Sequence, residues 1–442
     1  MDAILQAIIL LLGVPGVVIS VRRTGDWINP VTMLFVFFFL PIFFSLFRLS
    51  GLQSHHWHYN TYIAIFTSIG AWLIFPVIVI AAHSSPKQGK QDLLFLDIFK
   101  SPYFVVIVRV FGIVIFSSFI LSNYIQAGHV LAFNNAEAAF QIHTVFPFGL
   151  RYFARAGVAG VTLLYVAYWA QRRHFDLVLL LLVLLVPLSR LSRFDVALGM
   201  IALTILFTSL PIFKLSSKKW LFILAALALV IVAGAELGSL RQNRFDKYDF
   251  KYSSFIAWQP QLLGPAEVLP ILYGYFCLPF ENLDYFIKQF NGSYGIALAS
   301  FDWLFTGFLK LNWYTSYGFA QAEHFQFVPI SSAANVAGAL TPFYSDLGPI
   351  GMALPMTIYI VFWLYLYYRS KSSARSLLLY AIYSSAFSLV SFQAIIAAAF
   401  LFHQMLEVII VIALVTGMER YRRKRLDIIA RKRILMTAAR FR

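Results

Sequence analysis

Cysteine and charge are both scarce in this chain. Cys277 is the only cysteine among 442 residues. A lone thiol closes no intrachain disulfide and builds no thiolate metal site. Charged residues make up 12% of the sequence, about half the share usual in a soluble domain. Acidic residues are the scarcer kind, 19 Asp and Glu against 35 Lys and Arg. A Walker A run is absent, which removes P-loop nucleotide hydrolysis, and the lack of HExxH removes zincin chemistry. No GxSxG nucleophile elbow occurs. The basic loops are too short to fold as a soluble nucleotide-sugar transferase domain, so a sugar donor would have to arrive through the membrane. Repeats of 20–50 residues are also missing.

Apolar residues fill the space. They form 60% of the chain, the mean hydropathy is +0.76, and long apolar runs recur throughout. This is the pattern of an all-α, polytopic transmembrane helical bundle. The first run, Ala3 to Val21, lacks a basic start and is followed by Arg22 and Arg23, so it reads as a retained span rather than a signal peptide. Eleven spans are expected, at about 3–21, 30–49, 61–83, 103–123, 152–170, 174–188, 195–213, 220–238, 346–368, 376–398 and 401–418. Four regions follow: N-terminal spans over 1–238, a long external loop over 239–345, C-terminal spans over 346–418 and a basic tail over 419–442. The long loop is rich in aromatics. Its apolar stretches, Glu267–Phe280 and Tyr294–Leu311, suggest amphipathic helices on or dipping into the outer leaflet. If two of them crossed instead, the count would be thirteen.

The net charge of +16 reads as topology rather than nucleic-acid binding. Of the 35 basic residues, 23 fall in alternate loops and the tail: Arg22 and Arg23; Lys87, Lys90 and Lys100; Arg172 and Arg173; Lys214, Lys218 and Lys219; Arg369, Lys371 and Arg375; and ten from Arg420 onward. The positive-inside rule puts that face in the cytoplasm and the N-terminus outside. Arg109 lies within a span and is expected to snorkel to the cytoplasmic surface.

Arg190 and Arg193, in LSRLSRFDVALG, sit on the opposite face and so run against the bias. Three residues apart, they share a helix face. Guanidinium suits phosphate, so the pair is a candidate clamp for a lipid-linked pyrophosphate; the alternative is an interfacial anchor paired with Asp195. Arg241 and Arg244 repeat the pattern in GSLRQNRFDKYDF, either as a second arm of the clamp or as a solvated exit from the membrane.

In NVAGALTPFYSDLGPIGM, Asp346 meets an apolar span between Pro342 and Pro349. An acid at a membrane boundary is a site hypothesis by default, and Asp346 also suits a helix cap. Thr341, Tyr344 and Asn335 are candidate sugar contacts, as is Asn282 in LPFENLDYF. Asp302, Glu323, His324 and Asp346 are the candidate acids and bases, because carboxylate and imidazole accept protons near neutral pH. His324 is the preferred base. Asp284 is a further acid in the same loop. His55, His56 and His58 cluster in an external loop and read as surface residues. His403 and Glu407 share a helix face and read as a structural pair.

These stretches resemble the Wzy-type oligosaccharide repeat-unit polymerases of bacterial O-antigen and capsule assembly. Three places carry the likeness: the Arg-bearing start of a span at 188–199, the aromatic-Pro-x-x-Asn-Leu pattern approximated at 278–286, and the Asn335, Thr341, Asp346, Gly348, Gly351 spacing. The resemblance implies a GT-C-like fold of 11–13 spans in the inner membrane and a periplasm-facing active site. It also implies a metal-independent glycosyltransferase that needs no cofactor. That enzyme would pass a growing glycan from undecaprenyl pyrophosphate to the next lipid-linked repeat, with Arg190 or Arg193 and Arg241 on the pyrophosphate. Implied partners are undecaprenyl-pyrophosphate-linked oligosaccharides, membrane lipids and a chain-length regulator, with no nucleic acid. The alternatives are a lipid-linked oligosaccharide flippase, an O-antigen ligase or a membrane acyltransferase.

Overall fold

The computed structural model describes residues 1–49, 53–83, 93–127, 153, 156–187, 193–210, 268–290, 292, 294, 300–301, 304, 338, 340–390 and 399–440. Every regular element among them is helical: α1 (Asp2–Thr24), α2 (Pro30–Ser45), α3 (Tyr59–Ala82), a 3-10 helix (Leu93–Lys100), α4 (Pro102–Ala127), α5 (Gly157–Gln171), α6 (His174–Leu185), α7 (Arg193–Ser209), α8 (Val268–Gln289), α9 (Leu340–Gly351), α10 (Ala353–Ser370), α11 (Ala374–Ser388) and α12 (Ala399–Arg440). Four are long and apolar enough to cross a membrane: α1, α3, α4 and residues Leu401–Ala430 of α12. The pair α9 and α10 makes a fifth if its 113° bend lies within one span. Ten of the eleven expected stretches overlap one or another of the twelve described α-helices, of which four or five are long and apolar enough to cross, and 220–238 lies outside the described residues.

α2 and α3 each contain a π-helical turn, at Phe35–Phe39 and Ile69–Ile74. Each turn ends two residues before a proline, Pro41 or Pro76. A proline ring clashes with the carbonyl four residues back, here at Phe37 and Trp72. The wider π turn takes up that clash without breaking the helix.

α11 is the axis of the bundle. Every residue from Ala374 to Ser388 except Arg375 is buried. It packs on α7, α10 and α12. A helix buried all round needs small or apolar side chains on every face, and its serines bond to helical carbonyls (Ser385 to Ile382, Ser388 to Ser384). Trp363 of α10 stacks on Phe387 with ring centres 4.1 Å apart and donates its indole N–H to Ser384.

Contacts at the ends of the helices sort the loops into two faces. On one, Lys371 bonds Asp26 at 2.9 Å and Ser101 bonds Glu419. These link three of the loops expected to be cytoplasmic with the start of the tail. On the other, Arg48 joins Asp2 and Glu281. α1 connects the two faces, with Asp2 at one end and Asp26 just past the other. At about 1.5 Å per residue its 23 residues span roughly 35 Å, the thickness of a bilayer core and a little more.

The Arg109 side chain stays 20% exposed and reaches the start of α6, just after the loop of Arg172 and Arg173 expected to be cytoplasmic. It makes a two-pronged pair with Asp176, at 2.6 and 2.9 Å. Asp176 is fully buried in the first turn of α6. The carboxylate captures the guanidinium because two aligned charge-assisted bonds outweigh hydration for a side chain held between α4 and α6.

The helix expected to end near Phe280 continues to Gln289. Its residues Cys277–Asp284, Phe286 and Ile287 are buried against α2, α3 and α9.

Candidate functional site

Glu281, Asn282 and Asp284 are each at most 1% exposed. Charged side chains reach such burial only when paired, and both acids are. Glu281 accepts from Arg48 Nη1 at 2.6 Å, Trp57 Nε1 at 2.7 Å, Ser54 N and Oγ at 3.1 Å and Gln53 Nε2 at 3.3 Å. Asp284, one helical turn on, accepts from His58 N at 2.5 Å, Thr61 Oγ1 at 2.7 Å, Ser54 Oγ at 3.3 Å and Lys288 Nζ at 2.6 Å. Three residues apart, the two acids face the same way and fasten residues 53–61 to α8. Burial pushes the Glu281 carboxyl above its usual range, while Arg48 and the neighbouring donors pull it back down.

Arg48 is the unusual member. It has φ 54°, in the left-handed region that residues other than glycine rarely take. Its guanidinium lies 4.4 Å from the Trp57 ring centre and also reaches Asp2 at 3.3 Å. Asp2 in turn accepts a short bond from the Tyr62 hydroxyl. The strained turn brings α2, the N-terminus of α1 and α8 onto one cation. Below it, Tyr273 donates to Gln53 at 2.7 Å, and burial raises both the Tyr273 hydroxyl and the Cys277 thiol. Cys277 is therefore an inert core thiol.

Against α8 and α3 lies α9, which carries Thr341, Tyr344 and Asp346, each at most 2% exposed. Phe286 and Phe290 of the α8 segment meet the Tyr344 ring at 6.4 and 5.6 Å. The Asp346 carboxylate accepts the Ser300 backbone N–H at 2.5 Å, and the Tyr359 hydroxyl donates to the Ser300 carbonyl at 2.5 Å. The hydroxyl oxygens of Ser300 and Thr341 are buried and have no hydrogen-bond partner among the described residues. Asp346 does not cap the following helix, since Met352 holds that position. Two residues after Asp346 the helix breaks at Gly348, with φ 71° and ψ −176°. A Cβ there would also meet the Tyr294 ring at 3.0 Å, so glycine is required twice over.

The structure thus brings Asn282, Thr341, Tyr344 and Asp346 into one neighbourhood and covers them with protein. Arg193 opens α7. Arg190, Arg241, Arg244, Asp302, Glu323, His324 and Asn335 lie outside the described residues. Sequence reasoning missed the roles of Arg48, Glu281 and Trp57. One signal was present: two acids three residues apart, Glu281 and Asp284, beside an apolar run that would otherwise exclude charge. His55, His56 and His58 are exposed, and His58 also caps α3 by accepting from Asn60 N. Among the described residues no group of three or more His, Cys, Asp or Glu is placed to hold a metal ion. No family model, curated protein or solved structure matches the chain.

Proposed function

We propose that this protein is a metal-independent glycosyltransferase of the inner membrane, with eleven to thirteen spans in a GT-C-like arrangement and a catalytic face toward the periplasm. It would lengthen surface polysaccharide by moving a growing glycan from undecaprenyl pyrophosphate onto the next lipid-linked repeat. One observation supports the reading most. The Asn282 stretch and the Thr341–Gly351 stretch, more than fifty residues apart, pack together at the end of the bundle opposite most of the basic loops.

In this reaction a hydroxyl of the acceptor sugar attacks the anomeric carbon of the donor glycan. The carbon–oxygen bond to the pyrophosphate breaks, and undecaprenyl pyrophosphate leaves with the bonding pair. Arg190, Arg193, Arg241 and Arg244 hold the charge that grows on it. Fixed guanidiniums stabilise that charge most in the transition state, which is where the acceleration arises. The acceptor proton passes to His324, with Asp302 and Glu323 as the other acceptors in the loop. Asp346, already engaged by Ser300, acts as a positioning residue at the helix break.

The 113° break between α9 and α10 favours a second reading, a lipid-linked oligosaccharide flippase, because transporters use broken helices at their binding sites. Purified protein in liposomes carrying an undecaprenyl-pyrophosphate-linked oligosaccharide separates the two. A ladder of lengthened glycans, formed equally well in EDTA, supports the polymerase. Unlengthened substrate equilibrated between leaflets would overturn it in favour of the flippase.

A further inference from the structure

α12 continues as helix well beyond the bundle, from Ala399 to Arg440. Its buried stripe, Leu401, Gln404, Met405, Val408, Val411, Ile412 and Val415, stops at Val415. One turn later, Glu419 accepts from Ser101 at 2.5 Å. Ser101 immediately precedes the apolar helix α4, so this bond fixes the depth at which α12 leaves the apolar layer. From Arg420 to Ala430 every side chain is exposed. Five of the first six are cations: Arg420, Arg422, Arg423, Lys424 and Arg425. At 100° per residue they point to every side of the helix rather than along one stripe. Of the acids nearby, Glu419 is engaged with Ser101 and Arg422, Asp97 with Lys100 and Asp176 with Arg109, while Asp427 is exposed on the helix two residues past Arg425, one acid against five cations. The cationic ends of the packed neighbours, Lys100 before α4 and Arg172 and Arg173 after α5, are also exposed.

We propose that Arg420–Arg425 form a cationic collar that binds anionic phospholipid headgroups around α12. The distances select this occupant. Arg422 to Arg425 lie roughly 5–9 Å beyond Glu419 along a helix rising about 1.5 Å per residue, within and just past a headgroup layer of roughly 5–7 Å. A cluster this close to a span is the usual signature of anionic-lipid binding. The second cluster, Arg431, Lys432 and Arg433, lies roughly 18–21 Å further along the same helix, beyond a Debye length of about 8 Å. The collar therefore binds lipid, and the outer cluster does not. This inference is independent of the enzymatic reading, and of which face is cytoplasmic.

Full-length protein in nanodiscs, titrated with phosphatidylglycerol in a phosphatidylcholine background and read by native mass spectrometry of retained lipid, tests it. The variant R422Q/R423Q/K424Q/R425Q should bind phosphatidylglycerol about tenfold more weakly or worse. R431Q/K432Q/R433Q should bind like the wild type, and the four-lysine version of the collar should retain binding. The four collar side chains altered here are exposed, so an unchanged melting temperature confirms that folding is intact. Wild-type binding by the collar variant overturns the proposal. So does an equal loss in the outer-cluster variant, which would mean the helix lies flat on the bilayer.

Discussion

At the scale of single residues, the outer end of the bundle depends on one ion pair. Glu281→Ala would leave the Arg48 guanidinium half-buried with Asp2 as its remaining carboxylate. Breaking a buried pair in this way typically costs about 3–5 kcal/mol, so a large drop in melting temperature in detergent is expected. Glu281→Gln keeps most of the hydrogen-bond geometry and should cost less. It should also change the pH profile. Because the folded Glu281 carboxyl titrates above its unfolded value, its contribution to stability is present below about pH 4.3 and is lost as pH rises through the folded pKa. The glutamine variant should lack that decline in melting curves recorded across the same range. An identical decline in the variant would move its origin to another group.

Helices meet at positions where one side chain or one missing Cβ decides the fit. Gly348 is such a position. Alanine there must hold φ near +71° with its Cβ against the Tyr294 ring, and strain of this kind costs about 1–3 kcal/mol. Gly348→Ala is expected to lower the melting temperature and, under the polymerase proposal, to slow glycan elongation together with it, because the break at Gly348 lies two residues from Asp346. Unchanged elongation would separate the break from function. The start of α5 is a second such position. Its N-cap, Ala156, offers no side-chain bond. Instead Gln404 of α12 accepts the Ala159 N–H at 3.0 Å, fully buried. Gln404→Leu leaves that donor unpaired and should cost about 1–3 kcal/mol, measurable by thermal unfolding.

For the whole molecule, the two clusters of end contacts predict sidedness. Single cysteines placed in a Cys277→Ser background at His56 and at Arg173, both exposed, should react with an impermeant maleimide from opposite sides of sealed vesicles. Labelling from the same side would dismantle the two-face assignment and the pyrophosphate clamp with it. Under the polymerase proposal, Arg190→Ala and Arg193→Ala should each abolish polymer while protein levels hold.

Hydropathy and the alternation of basic loops determined that this chain is a helical bundle and roughly where each helix lies. Those signals are local: a run of about twenty apolar residues must satisfy its own backbone and avoid water wherever it ends up. Asp346 and Asn282 were also legible as polar groups in apolar surroundings. Only the tertiary structure decided that Glu281 meets Arg48, that Asp176 captures Arg109, that Gln404 caps α5 and that Asp346 holds Ser300. Each of these pairs spans between 46 and 245 residues of sequence. A buried charge chooses its partner by distance in the packed state, and no local pattern encodes that distance.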